Sequence, residues 1–152
     1  MKKVEFKTEI DAKRDKVWNT MLEKETYREW VNAGWPGSTY EGKWKQGETL
    51  RFLGEGNQGG TMAKLVEVRQ PEYIKAEHIA VITKEGKEDR TSEEANRWVG
   101  TTEEYTFTEK NGKTELKVTI NTAPQWESMF KDGWPNALNK LKEICERKAV
   151  TA

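Results

Sequence analysis

Between Pro124 and Lys148 the apolar residues Trp126, Phe130, Trp134, Leu138, Leu141 and Cys145 recur every three or four positions among lysines, glutamates and asparagines. That spacing predicts one apolar stripe along one long helix. Near the start of the chain the period changes to two: Val4, Phe6 and Ile10 alternate with Lys3, Glu5, Lys7 and Glu9, and Thr8 fits the inner side, which predicts a half-buried strand over 3–10. Two short helices fit 14–22, with Val17, Trp18, Met21 and Leu22 on one face, and 25–31, with Tyr27 and Trp30. Gly34, Pro36 and Gly37 favour turns, so a break is expected over 32–37. Strands are then expected at about 38–45, 48–54, 60–70, 72–83, 100–110 and 113–122. Asn111-Gly112 between the last two is a hairpin signal, since both residues tolerate the positive φ of a type I′ turn.

Two segments modify this outline. Lys84 to Val99 is rich in charge, and Thr91 with Glu94 resembles a capping box that opens one helical turn, which makes the segment a candidate lid. Gly133 and Pro135 interrupt the final helical pattern; a kinked continuous helix is expected, the alternative being a fresh helix capped by Asp132. With one helix lying on many strands the fold class is α+β. The aromatic N-terminal half of the helix is bulky enough to prop the sheet open, and a space beneath it would be a pocket. Strand parity turns Ile74, Ala76, His78, Ala80 and Ile82 inward, together with Glu103, Tyr105 and Phe107, Leu116, Val118 and Ile120, and Leu50 and Phe52. A single β-bulge would reverse part of such a set.

A length of 152 residues matches one domain, 1–152, large enough to bury a core without metals or disulfides. The mean hydropathy of -0.97 is low. Yet 26 basic residues balance 26 acidic ones, and seven tryptophans supply burial that disordered chains lack. Zero net charge without a basic cluster argues against a nucleic-acid partner. The longest apolar run, Ile79 to Ile82, is far too short for membrane insertion. Met1, Lys2 and Lys3 are followed at once by charge where a leader peptide needs an apolar core, so a cytoplasmic location is expected. Cys145 is the only cysteine and reads as a small core residue on the helix stripe.

The chemistry on offer is sparse. His78 is the only histidine, and parity sends it and Glu103 toward the interior, where a general acid or base would have to sit. A hydrogen-bonded core histidine satisfies the same pattern. One histidine with scattered carboxylates makes no metal ligand set, and no cofactor is expected. The glycines of Gly54-Glu55-Gly56-Asn57-Gln58-Gly59 have phosphate-loop spacing but lead into a strand, so they lack the helix N-terminus that holds a pyrophosphate. Trp18 and Trp98 read as structural, while Trp30, Trp35, Trp126 and Trp134 either plug a cavity or line it. An empty drug-sized cavity of roughly 300 Å³ would cost about 7 kcal/mol, comparable with the stability of a whole domain. Such a space must hold indole rings, water or a ligand.

Several short stretches occur in a recognisable order: Ile10-Asp11-Ala12 before Val17-Trp18, then Trp30, then Gly47 ahead of Leu50 and Phe52. Val66-Glu67-Val68 before Pro71, Thr114-Glu115-Leu116, Trp134-Pro135-Asn136-Ala137-Leu138 and Leu141-Lys142 complete the series. In that order the chain resembles the START-like, or SRPBCC, helix-grip superfamily, and within it bacterial relatives of the activator of the ninety-kilodalton heat-shock chaperone's ATPase. The resemblance implies a seven-stranded curved antiparallel sheet around a long C-terminal helix, with two short helices after the first strand. It also implies a choice of functions. The first is a binding module for a small apolar, aromatic or lipid-like ligand, with Trp30, Trp35, Phe52, His78, Glu103, Tyr105, Trp126, Phe130 and Trp134 as candidate contacts. The second is a cyclase- or hydrolase-like enzyme using His78 and Glu103 as acid and base and Tyr105 as a donor. The third is a protein-partner or chaperone-regulating domain, by analogy of fold alone.

Overall fold

The computed structural model describes residues 2–54 and 59–147. Strand β1 (Lys2–Ile10) leads to α1 (Arg14–Leu22) and α2 (Lys24–Gly34), then to β2 (Thr39–Glu41), β3 (Thr49–Leu53), β4 (Gly60–Arg69), β5 (Tyr73–Ile82) and β6 (Glu88–Asp89). After α3 (Glu93–Trp98) come β7 (Thr102–Lys110), β8 (Lys113–Thr122), a 3₁₀ turn (Pro124–Trp126) and α4 (Glu127–Glu146). Seven strands make one curled antiparallel sheet in the order β1-β8-β7-β5-β4-β3-β2. The two-residue β6 pairs with β5 off this path. The α+β, seven-stranded expectation therefore holds, with β6 as an addition.

The hairpin between β7 and β8 turns at Asn111 (φ 56°) and Gly112 (φ 78°), the positive pair that Asn-Gly predicts. Inward parity is also realised along β7, β8 and the first half of β5, where Ile74, Ala76, His78, Glu103, Tyr105, Phe107, Leu116, Val118 and Ile120 are all buried. Beyond His78 the parity reverses. Ala63 faces His78 while its neighbour Met62 faces Ala80, so Ile79 is an extra residue in β5. A β-bulge of this kind moves all that follows to the opposite face. Ala80 and Ile82 accordingly pack with Met62 in a small cluster separate from the main core, which corrects the inward assignment of those two residues.

Other boundaries differ for local reasons. The strand expected over 38–45 is only Thr39–Glu41. It stops at Gly42, whose φ of 115° no extended L-residue adopts easily and whose Cβ, if present, would lie 2.9 Å from Thr49 O. The cap of α3 is Ser92, whose Oγ accepts from the Ala95 amide at 3.1 Å, rather than Thr91; the Glu94 side chain of the expected capping box lies outside the described residues. Gly54 N–H donates to Gly59 O at 2.9 Å and the chain enters β4 directly; positions 55–58 of that glycine-spaced loop, and Lys148, lie outside the described residues. The last helix begins at Glu127, after the 3₁₀ turn, and runs unbroken through Pro135, so no new helix starts at Asp132.

The two glycines that look like helix breakers have a different use. The helix α2 continues into the expected break as far as Gly34, where it meets α4 at Gly133. A Cβ on Gly34 would lie 2.6 Å from Gly133 O and 3.3 Å from the Ala137 methyl, and one on Gly133 would lie 2.5 Å from the Trp35 ring. Absence of side chains, not backbone freedom, is what both positions supply. The far end of α4 is tied to the end of β1: Lys142 Nζ donates to Glu9 O at 2.7 Å and the Asp11 amide to Glu146 Oε2 at 2.8 Å. The Asp11 amide and the Lys142 ammonium hold the Glu146 carboxyl below the usual carboxylate range.

Replacing Gly34 by alanine sets two effects of opposite sign against each other. Helix propensity alone would stabilise by up to about 1 kcal/mol, whereas the collision with Gly133 costs about 1–3 kcal/mol. Gly34→Ala is expected to lower the urea midpoint, by up to about 2 kcal/mol in unfolding free energy once the full propensity gain is subtracted. A stabilised variant would contradict the contact.

Candidate functional site

Helix α1 ends at Leu22 and α2 begins at Lys24, and the polar groups at this junction are settled by aromatic side chains. Trp30 Nε1–H donates to Met21 O at 3.0 Å and the Tyr40 hydroxyl donates to Leu22 O. Both acceptors are last-turn carbonyls of α1, which have no partner within their own helix. Tyr27 stands edge-on to both rings, with centroids 5.0 Å from Trp30 and 4.7 Å from Tyr40. From the other side α4 inserts Trp134, which stacks on Trp30 at 5.8 Å and meets Trp35 edge-on at 5.4 Å. This approach is possible only because Gly133, one residue earlier, has no side chain against Trp35.

Among these rings lies a space of about 130 Å³. Six candidate residues border it: Trp30, Trp35, Phe52, Glu103, Tyr105 and Trp134. Three others do not. Phe130 is buried elsewhere in the core. Trp126 stacks on Trp98 at 5.0 Å, and His78 lies between Phe52 and Trp98, at 6.1 and 5.6 Å. Tyr27, Val31 and Trp44 also border the space and were absent from the sequence-based set. Tyr27 was legible as a neighbour of Trp30 on one helical face. Trp44 was not, because it lies in irregular chain where periodicity carries no information. If left empty, the space costs roughly 3 kcal/mol at about 24 cal/mol per Å³.

One carboxyl group borders this space. Glu103 is 8% exposed, and its Oε2 accepts from the Tyr105 hydroxyl at 3.0 Å. The nearest cationic candidate is His78, whose Nε2 stands 3.6 Å from the same oxygen, beyond a good hydrogen bond. Neither His78 nitrogen has a hydrogen-bond partner, although the ring is 4% exposed, so the hydrogen-bonded core histidine is not realised among the described residues. The indole Nε1 of Trp134 is likewise buried without a partner. Burial, and secondly the negative charge of Glu103, push the phenols of Tyr27 and Tyr105 upward in pKa. Among the described residues no three histidine, cysteine, aspartate or glutamate side chains converge as a metal site requires. No helix there is long and apolar enough to cross a membrane.

Residues 11–146 match the family model described as Activator of Hsp90 ATPase homolog 1-like protein. No curated protein sequence gives a significant match. Among solved structures, a crystal structure of a protein from Mesorhizobium loti superposes with a TM-score of 0.75 at 14% identity, covering 98% of this chain and 100% of that one. The solution structure of the Aha1 dimer from Colwellia psychrerythraea gives 0.73 at 16% identity, covering 98% and 99%. CalU16 from Micromonospora echinospora gives 0.64 at 15% identity, covering 97% of this chain and 77% of that one. At these identities the likeness is one of fold.

Alkali reads the burial of the site directly. The four tyrosines, Tyr27, Tyr40, Tyr73 and Tyr105, all have raised pKa values: burial is the first cause in each, and Tyr73 also donates to Glu104. Unfolded phenols ionise near pH 10. Stability is therefore fully retained below about pH 10 and is lost above it, by about 1.4 kcal/mol per pH unit for each of Tyr27 and Tyr105. Ionisation of Tyr27 and Tyr105 is expected only with unfolding. Reversible ionisation of Tyr27 or Tyr105 near pH 10 in the folded protein would contradict their placement.

Proposed function

We propose, from the premise that this chain belongs to the family of Activator of Hsp90 ATPase homolog 1-like proteins, that it is a binding module for a small, largely apolar molecule held between α2, α4 and the sheet. One observation carries the reading: the 130 Å³ space is bordered mainly by aromatic side chains, with the carboxyl of Glu103 and the hydroxyl of Tyr105 as convergent polar groups. Apolar walls with a few oriented polar groups are the usual composition of a small-molecule site. The volume limits the occupant. An engineered apolar cavity of about 150 Å³ accepts benzene, whereas drug-sized ligands need roughly 300 Å³ or more. A long lipid chain would require the helices to separate. Contacts would come from Trp30, Trp35, Phe52, Tyr105 and Trp134, with Glu103 orienting the ligand.

An acid–base role for His78, Glu103 and Tyr105 has the convergence of the three groups in its favour, at 3.6 and 3.0 Å from Glu103 Oε2. His78, however, does not border the space, so a bound molecule would meet Glu103 and Tyr105 first. A chaperone-regulating role calls for an exposed apolar patch. Among the described residues only Val66 and Val99 are exposed large hydrophobics. The family name alone supports it.

Titration with benzene, toluene and phenol, followed by the indole N–H resonances and by thermal unfolding, tests the binding reading. Shifts confined to Trp30, Trp35, Trp44 and Trp134, with a rise in Tm that grows with ligand concentration, are expected. Saturating ligand without either response would reject it.

A further inference from the structure

The space combines a buried carboxyl group with the π faces of several rings, and those two features recognise the same chemistry. Glu103 lies among apolar surroundings with no lysine or arginine bordering the space, and the neighbouring His78 nitrogen is 3.6 Å from its carboxylate. An ionised carboxylate in such a site is costly unless a cation or several donors compensate it. Only one donor does so within hydrogen-bond distance among the described residues, the hydroxyl of Tyr105. Around it stand Tyr27, Trp30, Trp35, Trp44 and Trp134. The face of an indole or phenol ring is the negative end of its quadrupole and attracts cations, indole most strongly. The charge of Glu103 also adds to the upward displacement of the Tyr27 and Tyr105 phenols, so its negative potential reaches two of the surrounding rings. Every other bordering side chain, such as Met21, Leu22, Val31 and Ser38, is uncharged.

We propose that the ligand is a small organic cation with an apolar outer surface, an alkylated ammonium group held by cation–π contact with the indoles and by Glu103. Such a group carries charge without needing the hydrogen bonds that the box does not offer. A tetrahedral ammonium bearing methyl groups suits a space of about 130 Å³, near the size of the apolar cavity that accepts benzene. The inference rests on the binding reading above and names the class of molecule that this same site takes.

The test compares tetramethylammonium chloride with tert-butanol, an uncharged molecule of the same tetrahedral shape and number of heavy atoms, at matched ionic strength. Indole N–H shifts in the intact chain give both affinities. Tetramethylammonium is expected to bind at least about tenfold more tightly than tert-butanol, and Glu103→Gln to reduce that preference at least about threefold, the remainder coming from the indole faces. Equal affinities, or a preference for the alcohol, in the unmodified protein would overturn the cation assignment while leaving the binding reading in place. Silence toward both probes together with silence toward benzene, toluene and phenol would remove both.

Discussion

The approach of α2 to α4 through Gly34 and Gly133 is the contact on which the rest of the site depends. A methyl group at either position would meet backbone or indole atoms at 2.5–2.6 Å, and packed interiors do not absorb such overlaps without moving an element. Because the helices meet there, Trp134 reaches Trp30 and Trp35, and the three indoles close one side of a space whose opposite side is the sheet. Hydrogen bonds from side chain to main chain at the far end of α4 fix its angle, since Lys142 and Glu146 are joined to the end of β1. The helix is thus held at two places. Between them its apolar stripe, with Leu138 and Leu141 buried, covers the core.

Polar groups are divided unequally between holding the fold and facing the space. Trp30 and Tyr40 use their donors on the last carbonyls of α1, which fastens the two short helices to each other and to the sheet edge. Trp134, His78 and Glu103 are not satisfied in the same way: two of them bury nitrogens without partners, and the third is a carboxylate with one phenol for company. Buried polar groups are normally paired. Incomplete pairing of three groups so near one another costs stability that the rest of the core must offset.

Much of the architecture was legible in the residues because most elements carry a single clear period. The Asn111-Gly112 turn, the α1 face of Val17, Trp18, Met21 and Leu22, and the inward faces of β7 and β8 all follow from local pattern. The misreadings have physical causes. Gly34 and Gly133 have the composition of breakers, and only the tertiary contact shows why they stand in helices. The bulge at Ile79 leaves no mark in composition, so Ala80 and Ile82 kept an apparent parity that the pairing with Met62 reverses. Of the site, Glu103 and Tyr105 were readable from strand alternation, and Trp30 and Trp134 from the apolar faces of their helices. The exclusion of His78, Trp126 and Phe130 from the border was not, because it depends on which side of the Phe52 and Trp98 rings each one falls.

The most direct test of this account is the proton-to-proton contact between the two helices. Nuclear Overhauser spectra of the folded protein should connect the α-protons of Gly34 with those of Gly133, and the Gly133 α-protons with the ring of Trp35. Spectra in which both glycines see only their own helices would show that α2 and α4 stand apart, and the aromatic box would not exist as described.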